Sequence, residues 1–210
     1  MKVIAVTGTP GTGKTTFSKK LAKKLNFYYI DVNQIISKYK LSEGYDRKRQ
    51  TNVIDVKKLN KVLIQYVEFF KKFKFVNERA PIVQRNENKN IGEIKTATNK
   101  QLNQYTILNK KLKINKNQIK KLKGIIIDSH LSHYLPRKYV DFCIVTKCDI
   151  KEINKRLQRK GFSKNKIQEN LQAEIFDICL NEAKEQKHKV LVIDTTKGFN
   201  MGKLAKQLGG

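Results

Sequence analysis

Apolar residues come in short unbroken runs along this chain, and helical stripes follow the runs. Val3 to Val6 is a continuous apolar stretch. Behind it Phe17, Leu21, Ala22 and Leu25 fall on one helical face, with lysines on the other. A short run without alternation reads as a strand covered on both sides, and the wider spacing reads as an amphipathic helix. The rhythm repeats, predicting further strands over 27–32, 124–128, 140–146 and 189–194. Helices are expected over 15–25, 33–39, 56–73, 150–159, 163–187 and 199–208. Asp55 and Ser163 stand where N-caps belong, and Lys160-Gly161-Phe162 breaks the helix before Ser163. Buried strands separated by helices predict an α/β fold: one domain with a five-stranded parallel sheet flanked by helices. Such sheets bind ligands at the carboxyl ends of their strands, so the turn after Thr7, Asp31, Asp128 and Thr146 should share one rim.

Two stretches depart from the rhythm. Residues 41–54 are polar around Gly44-Tyr45-Asp46 and read as a loop with a task. Residues 74–120 are rich in Lys, Asn and Gln and form an insertion, with short strands conceivable at 80–83 and 105–108. A structureless loop of that length is uncommon in a compact domain, which leaves a small β-rich excursion or a basic arm.

The formal net charge is +27. That draws a chain toward polyanions such as RNA, but a genome-wide lean toward Lys and Asn would produce it too. Aromatic residues are not interleaved with the basic ones as in a single-strand stacking platform. No apolar run is long enough to span a membrane, and the first strand starts too early for a signal peptide. Cys143, Cys148 and Cys179 form no C-x-x-C pair and are odd in number, as expected of thiols in a reducing cytoplasm.

Candidate chemistry centres on Gly8 to Thr16, G-T-P-G-T-G-K-T-T, which fits G-x-x-x-x-G-K-[ST] between a strand and a helix. Glycines let such a loop turn its N–H groups onto phosphates, and the following helix adds the positive end of its dipole. Lys14 should reach the β and γ phosphates, and Thr15 should sit on Mg²⁺. Asp128, ending an apolar strand, suits a Mg²⁺-orienting role or caps the next turn. His130 could place a water or hold the metal's shell, or serve structure alone; His133 is a weaker candidate. Arg156, Arg159 and Lys160 supply cations at a helix break, as a lid over a transferring phosphoryl would, or as a solvated basic face. Arg47 and Arg49 are candidates for an acceptor phosphate, and Asp31 for an acceptor contact or a helix cap.

Five ordered motifs sharpen this: G-T-P-G-T-G-K-T-T, Y-I-D-V-N, E-G-Y-D, I-D-S-H-L-S-H-Y-L-P and R-L-x-x-K-G-F-S-x-x-K-I-x-E-N-x-x-A-E-I. Together they resemble the adenylate kinase isoenzyme 6 family across residues 1–55 and 124–197. The resemblance implies a P-loop NTPase of the nucleoside-monophosphate-kinase type. It implies a broad-specificity kinase that converts ATP and AMP to two ADP with Mg²⁺, and an ATPase activity. It also implies a part in late maturation of the small ribosomal subunit, through transient contact with ribosomal protein uS11 and small-subunit rRNA. By position, Gly11, Gly13, Lys14, Thr15 and Thr16 match the family's ATP-binding loop. Asp128 and His130 match its Walker-B-like pair, residues 31–54 its acceptor region, 159–169 its lid, and Lys197 a position near the ATP base. The sequence departs from the family where Lys160 replaces a lid arginine, where Arg47-Lys48-Arg49 replaces an acidic stretch, and at 74–120.

Overall fold

The computed structural model describes residues 1–47, 51–79 and 121–208. At its centre is a parallel sheet of five strands in the order β2-β5-β1-β6-β7. These are β1 (Lys2–Thr7), β2 (Phe27–Asp31), β5 (Gly124–Asp128), β6 (Phe142–Lys147) and β7 (Val190–Asp194). The five strands read from apolar runs are therefore those that form the sheet.

β1 takes the middle because its residues are apolar on both faces. Val3 and Ala5 pack on one side with Leu59, Leu63 and Phe70 from α3 (Val56–Arg79). Ile4 and Val6 pack on the other with Phe17 and Leu21 from α1 (Lys14–Leu25) and Leu204 from α7 (Met201–Gln207). Each such side chain larger than alanine contributes roughly 1.5–3 kcal/mol by leaving water. The register pairs Val6 with Asp128, Asp31 with Asp128, and Thr7 with Val145. The carboxyl ends of β1, β2, β5 and β6 thus form the common rim expected of the fold.

Three expectations are corrected. Residues 41–54 are not a plain loop: β3 (Ser42–Asp46) and β4 (Thr51–Ile54) pair antiparallel, with an irregularity between Ser42 and Gly44. The helix begun by Asp55, whose side chain accepts from Lys57 N and Lys58 N at 2.8 and 3.1 Å, continues through Arg79. The helix expected over 163–187 is two helices, α5 (Lys164–Ile175) and α6 (Ile178–Glu185). Asp177 breaks them with φ 55°, and Lys147 at the end of β6 holds that bend through ion pairs to Asp177 and, at 3.8 Å, Glu174. The short strands considered at 80–83 and 105–108 lie outside the described residues.

Two helices complete the rim. α2 (Val32–Tyr39) follows β2, with Asp31 as its N-cap. α4 (Ile150–Arg159) follows β6 and ends at Lys160 and Gly161.

Candidate phosphate-binding cleft

The chain leaves β1 at Thr7 and reaches α1 at Lys14 through a loop that only certain residues can form. Gly8 has φ 137°, and a Cβ there would lie 2.4 Å from the Thr146 carbonyl oxygen, so a side chain is barred by backbone and neighbour together. Gly13, at φ 82°, begins α1 with no side-chain cap, leaving the first-turn N–H groups facing out of the helix. Threonines brace the loop from within. Thr12 Oγ1 donates to Thr9 O at 2.8 Å and lies 2.8 Å from Thr146 Oγ1. Thr195 Oγ1 donates to Thr12 O at 2.6 Å, tying the loop to the end of β7.

Lys14, the first residue of α1, folds back over this loop and donates from Nζ to Thr9 O at 2.8 Å. Burial pushes its ammonium down to about 8, against the opposing pull of nearby Asp128. Asp128 is 3% exposed at the end of β5. Burial pushes its carboxyl up, and hydrogen bonds from Thr15 and Tyr29 oppose the shift. The Tyr29 hydroxyl donates to Asp128 Oδ2 at 2.9 Å. His130 stands exposed at the cleft, yet its imidazole is pushed down to about 4, by desolvation first and by the Lys14 ammonium second. It is a neutral ring at pH 7.

These groups line one cleft of about 620 Å³, a size suited to a small-molecule ligand. Its floor includes Gly11, Gly13, Lys14, Thr15, Thr16, Asp128 and His130. Asn33 and Thr51 border it from residues 31–54, and Lys160, Phe162 and Lys166 from residues 159–169. The other candidates lie elsewhere. Arg156 donates from Nη1 to Gly11 O at 3.2 Å and from Nε to Glu152 at 2.9 Å, which props the loop from behind. Arg159 is exposed and outside the cleft lining. Lys197 borders a neighbouring cavity of about 540 Å³ with Asp149, Asp194 and Thr196. Asp31 accepts from Asn33 N at 2.9 Å as a cap. Arg47 is exposed and outside the cleft lining, and Arg49 lies outside the described residues.

Sequence reasoning missed Tyr29, Lys166 and the buried polar group behind the cleft. Tyr29 was within reach, since strand alternation sets it on the same face as Asp31. The polar group was not. His133 Nδ1 lies 2.7 Å from Thr7 Oγ1, and its Nε2 3.0 Å from Glu182 Oε2. Tyr134 donates to Glu182 Oε1 at 2.7 Å. This set joins β1 to α6, so His133 has a structural place behind the cleft.

A divalent ion fits the floor in one way. Among the described residues no three His, Cys, Asp or Glu gather as a metal cage. What the floor offers is a hydroxyl and a carboxylate, Thr15 and Asp128, which are hydrogen-bonded to each other. Two hard oxygens suit Mg²⁺ held largely by phosphate oxygens and water. No described helix is long and apolar enough to cross a membrane.

The AAA domain family matches residues 4–177. A "Putative adenylate kinase" of Methanocaldococcus jannaschii is 33% identical over 193 residues, covering 92% of this chain and 76% of its own. One from Methanosarcina acetivorans is 30% identical over 208 residues, covering 99% and 82%. Among solved structures, shikimate kinase from Acinetobacter baumannii in complex with shikimate matches with a TM-score of 0.46 at 14% identity, over 99% of this chain and 90% of that one.

Proposed function

The chain belongs to the AAA domain family and to the group of archaeal "Putative adenylate kinase" proteins, and on that premise we propose that it is a nucleoside monophosphate kinase using ATP. The reaction is ATP plus AMP to two ADP. The observation that carries it is the meeting of Lys14, Thr15 and Asp128 on the floor of a cleft that the acceptor region and the lid both border.

The loop and the α1 N-terminus take the triphosphate, and Lys14 leaves the Thr9 carbonyl for the β and γ phosphates. Thr15 and Asp128 would hold Mg²⁺, which would supply neutralising charge to those phosphates when bound. AMP enters between residues 31–54 and the lid, where Asn33 and Thr51 border the cleft. An α-phosphate oxygen of AMP attacks the γ-phosphorus, and the bond to the β-phosphate oxygen breaks. No strong general base is required, because the acceptor oxygen is already ionised. The lid 159–169 closes over the phosphates and excludes water. Lys197 and its cavity beside Thr196 take the adenine end of ATP.

Mg·ATP with a panel of nucleoside monophosphates, followed by ADP production, tests this. ADP should form with AMP and vanish in Lys14→Ala. Absence of ADP with every acceptor would sink the reading.

A second activity, ATP hydrolysis in an assembly step of the small ribosomal subunit, is favoured by one feature of the site. His130 is a neutral ring in the cleft beside Lys14, suited to hold a water. The charge of +27 suits contact with rRNA near uS11. His130→Ala should lower basal hydrolysis while sparing AMP-dependent ADP formation. Affinity for small-subunit rRNA should fall steeply with salt, and a flat salt response would count against it.

A further inference from the structure

We propose that the outer face of α1 and α7 binds the phosphate backbone of double-helical RNA. The inference rests on the RNA contact proposed above and gives it a surface; it does not depend on the kinase reaction.

α1 and α7 cover the same side of the sheet, with Phe17, Leu21, Leu204 and Ala205 in one apolar cluster. That packing sets the inward residues, and lysine dominates what is left outside. Past its first turn α1 exposes Lys19, Lys20, Lys23 and Lys24, while Phe17, Ser18, Leu21, Ala22 and Leu25 are buried. α7 exposes Lys203, Lys206 and Gln207. Neither helix carries an acidic residue. A chain-wide lean toward lysine would thin the acids everywhere, yet α3, α4, α5 and α6 each set glutamates among their lysines.

The arrangement works against the helix that carries it. Lys19 with Lys23, and Lys20 with Lys24, are like charges one turn apart, which repel. No glutamate in α1 offsets them. Each pair is spaced about 6 Å along the axis, near the step between phosphates on a nucleic-acid strand. An extended polyanion turns that repulsion into binding.

The chemistry of the face selects the partner. A membrane would need apolar side chains pointing outward, and those of α1 and α7 pack into the core. A protein partner would need an aromatic or apolar anchor, and neither helix exposes one. Unpaired bases would need aromatic platforms, and Phe17, the one aromatic residue of the two helices, is 1% exposed. A duplex presents phosphates outward, which lysines meet as point charges without reading sequence.

The test uses the full chain in two variants that each remove four lysines. The face variant carries Lys20→Gln, Lys24→Gln, Lys203→Gln and Lys206→Gln. The control carries Lys57→Gln, Lys61→Gln, Lys184→Gln and Lys187→Gln, all exposed and on or beside α3 and α6, which cover the opposite side of the sheet. Affinity for a short RNA duplex of arbitrary sequence is read by fluorescence anisotropy across a salt series. The face variant should bind about 100-fold more weakly at low salt and lose about 3 to 4 units from the slope of log affinity against log salt, because each phosphate contact contributes about 0.9. The control should stay within about fivefold of wild type. The urea midpoint of the face variant should hold or rise once the like-charge pairs are gone, which separates lost binding from lost folding. Should that variant not fold, Lys20→Gln with Lys24→Gln alone should remove about half of the slope change. Equal losses in both variants overturn the inference. So does tighter binding of single-stranded RNA, duplex DNA or phosphatidylserine vesicles than of duplex RNA. A wild type that binds no duplex RNA sinks the RNA reading itself, whereas binding retained by the face variant sinks only the assignment to α1 and α7.

Discussion

The Tyr29 hydroxyl donates a 2.9 Å hydrogen bond to Asp128 Oδ2 across the neighbouring strands β2 and β5. Asp128 is buried and its carboxyl is pushed up, so each donor that favours its ionised form counts. Tyr29→Phe removes one donor and leaves the ring packing in place. The Mg²⁺ concentration needed for half-maximal nucleotide binding should rise about 10-fold, as for other groups that orient a metal-holding residue. An unchanged Mg²⁺ titration would mean that Thr15 alone holds the carboxylate.

Lys14 gives a pH dependence of defined sign. Its ammonium is the form proposed to bind phosphate, and burial brings it down to about 8 in the ligand-free protein. Above that pH the free protein loses the proton that the complex must regain. Mg·ATP affinity should therefore be flat below about pH 7.5 and fall as pH rises past about 8, with proton uptake on binding. Calorimetry in buffers of different ionisation heats reads that uptake; none at pH 8.5 would contradict the assignment.

Gly8→Ala should damage the fold as well as the site. The added Cβ meets Thr146 O at 2.4 Å and Thr146 Oγ1 at 2.6 Å, at φ 137°. Strain and overpacking together cost about 2–5 kcal/mol. The urea midpoint should drop accordingly, and a wild-type midpoint would show that the loop can yield.

His188 makes the stability of the fold decline as pH falls. It is 8% exposed, its Nε2 donates to His133 O at 2.8 Å, and its Nδ1 is buried without a hydrogen-bond partner among the described residues. Burial first, and the Arg137 charge, push the imidazole below its ordinary value, with the bond to His133 O pulling the other way. The folded protein keeps the ring neutral, whereas the unfolded chain takes up a proton near pH 6.5. The contribution is thus fully present above about 6.5 and is lost as pH falls below it. Urea unfolding between pH 7.5 and 5 should show this decline, and His188→Gln should flatten it. Identical slopes would place the acid sensitivity elsewhere.

The parts of the site legible in the sequence are those set by local chain geometry. Gly8 to Thr16 announces a phosphate loop because its residue types and spacing dictate one turn between a strand and a helix. Asp128 is legible because an apolar strand can end in only one place. The lid cations show where this stops: helix phase and a bend decide that Arg156 braces Gly11, that Arg159 leaves the cleft and that Lys166 borders it. The β3–β4 pairing gave no alternation to read, because its residues are largely exposed on both faces. The bend at Asp177 is fixed by Lys147 from another element.

From the sequence alone came the five strands, most of the helices between them and the rim that the strand ends share, because burial on both faces and backbone period are properties of short segments. Only the folded chain decided which strands are neighbours, and so that Tyr29 meets Asp128 and His133 meets Glu182. Those contacts join residues distant along the chain, and no local pattern encodes a distance that the packing of the sheet and helices sets.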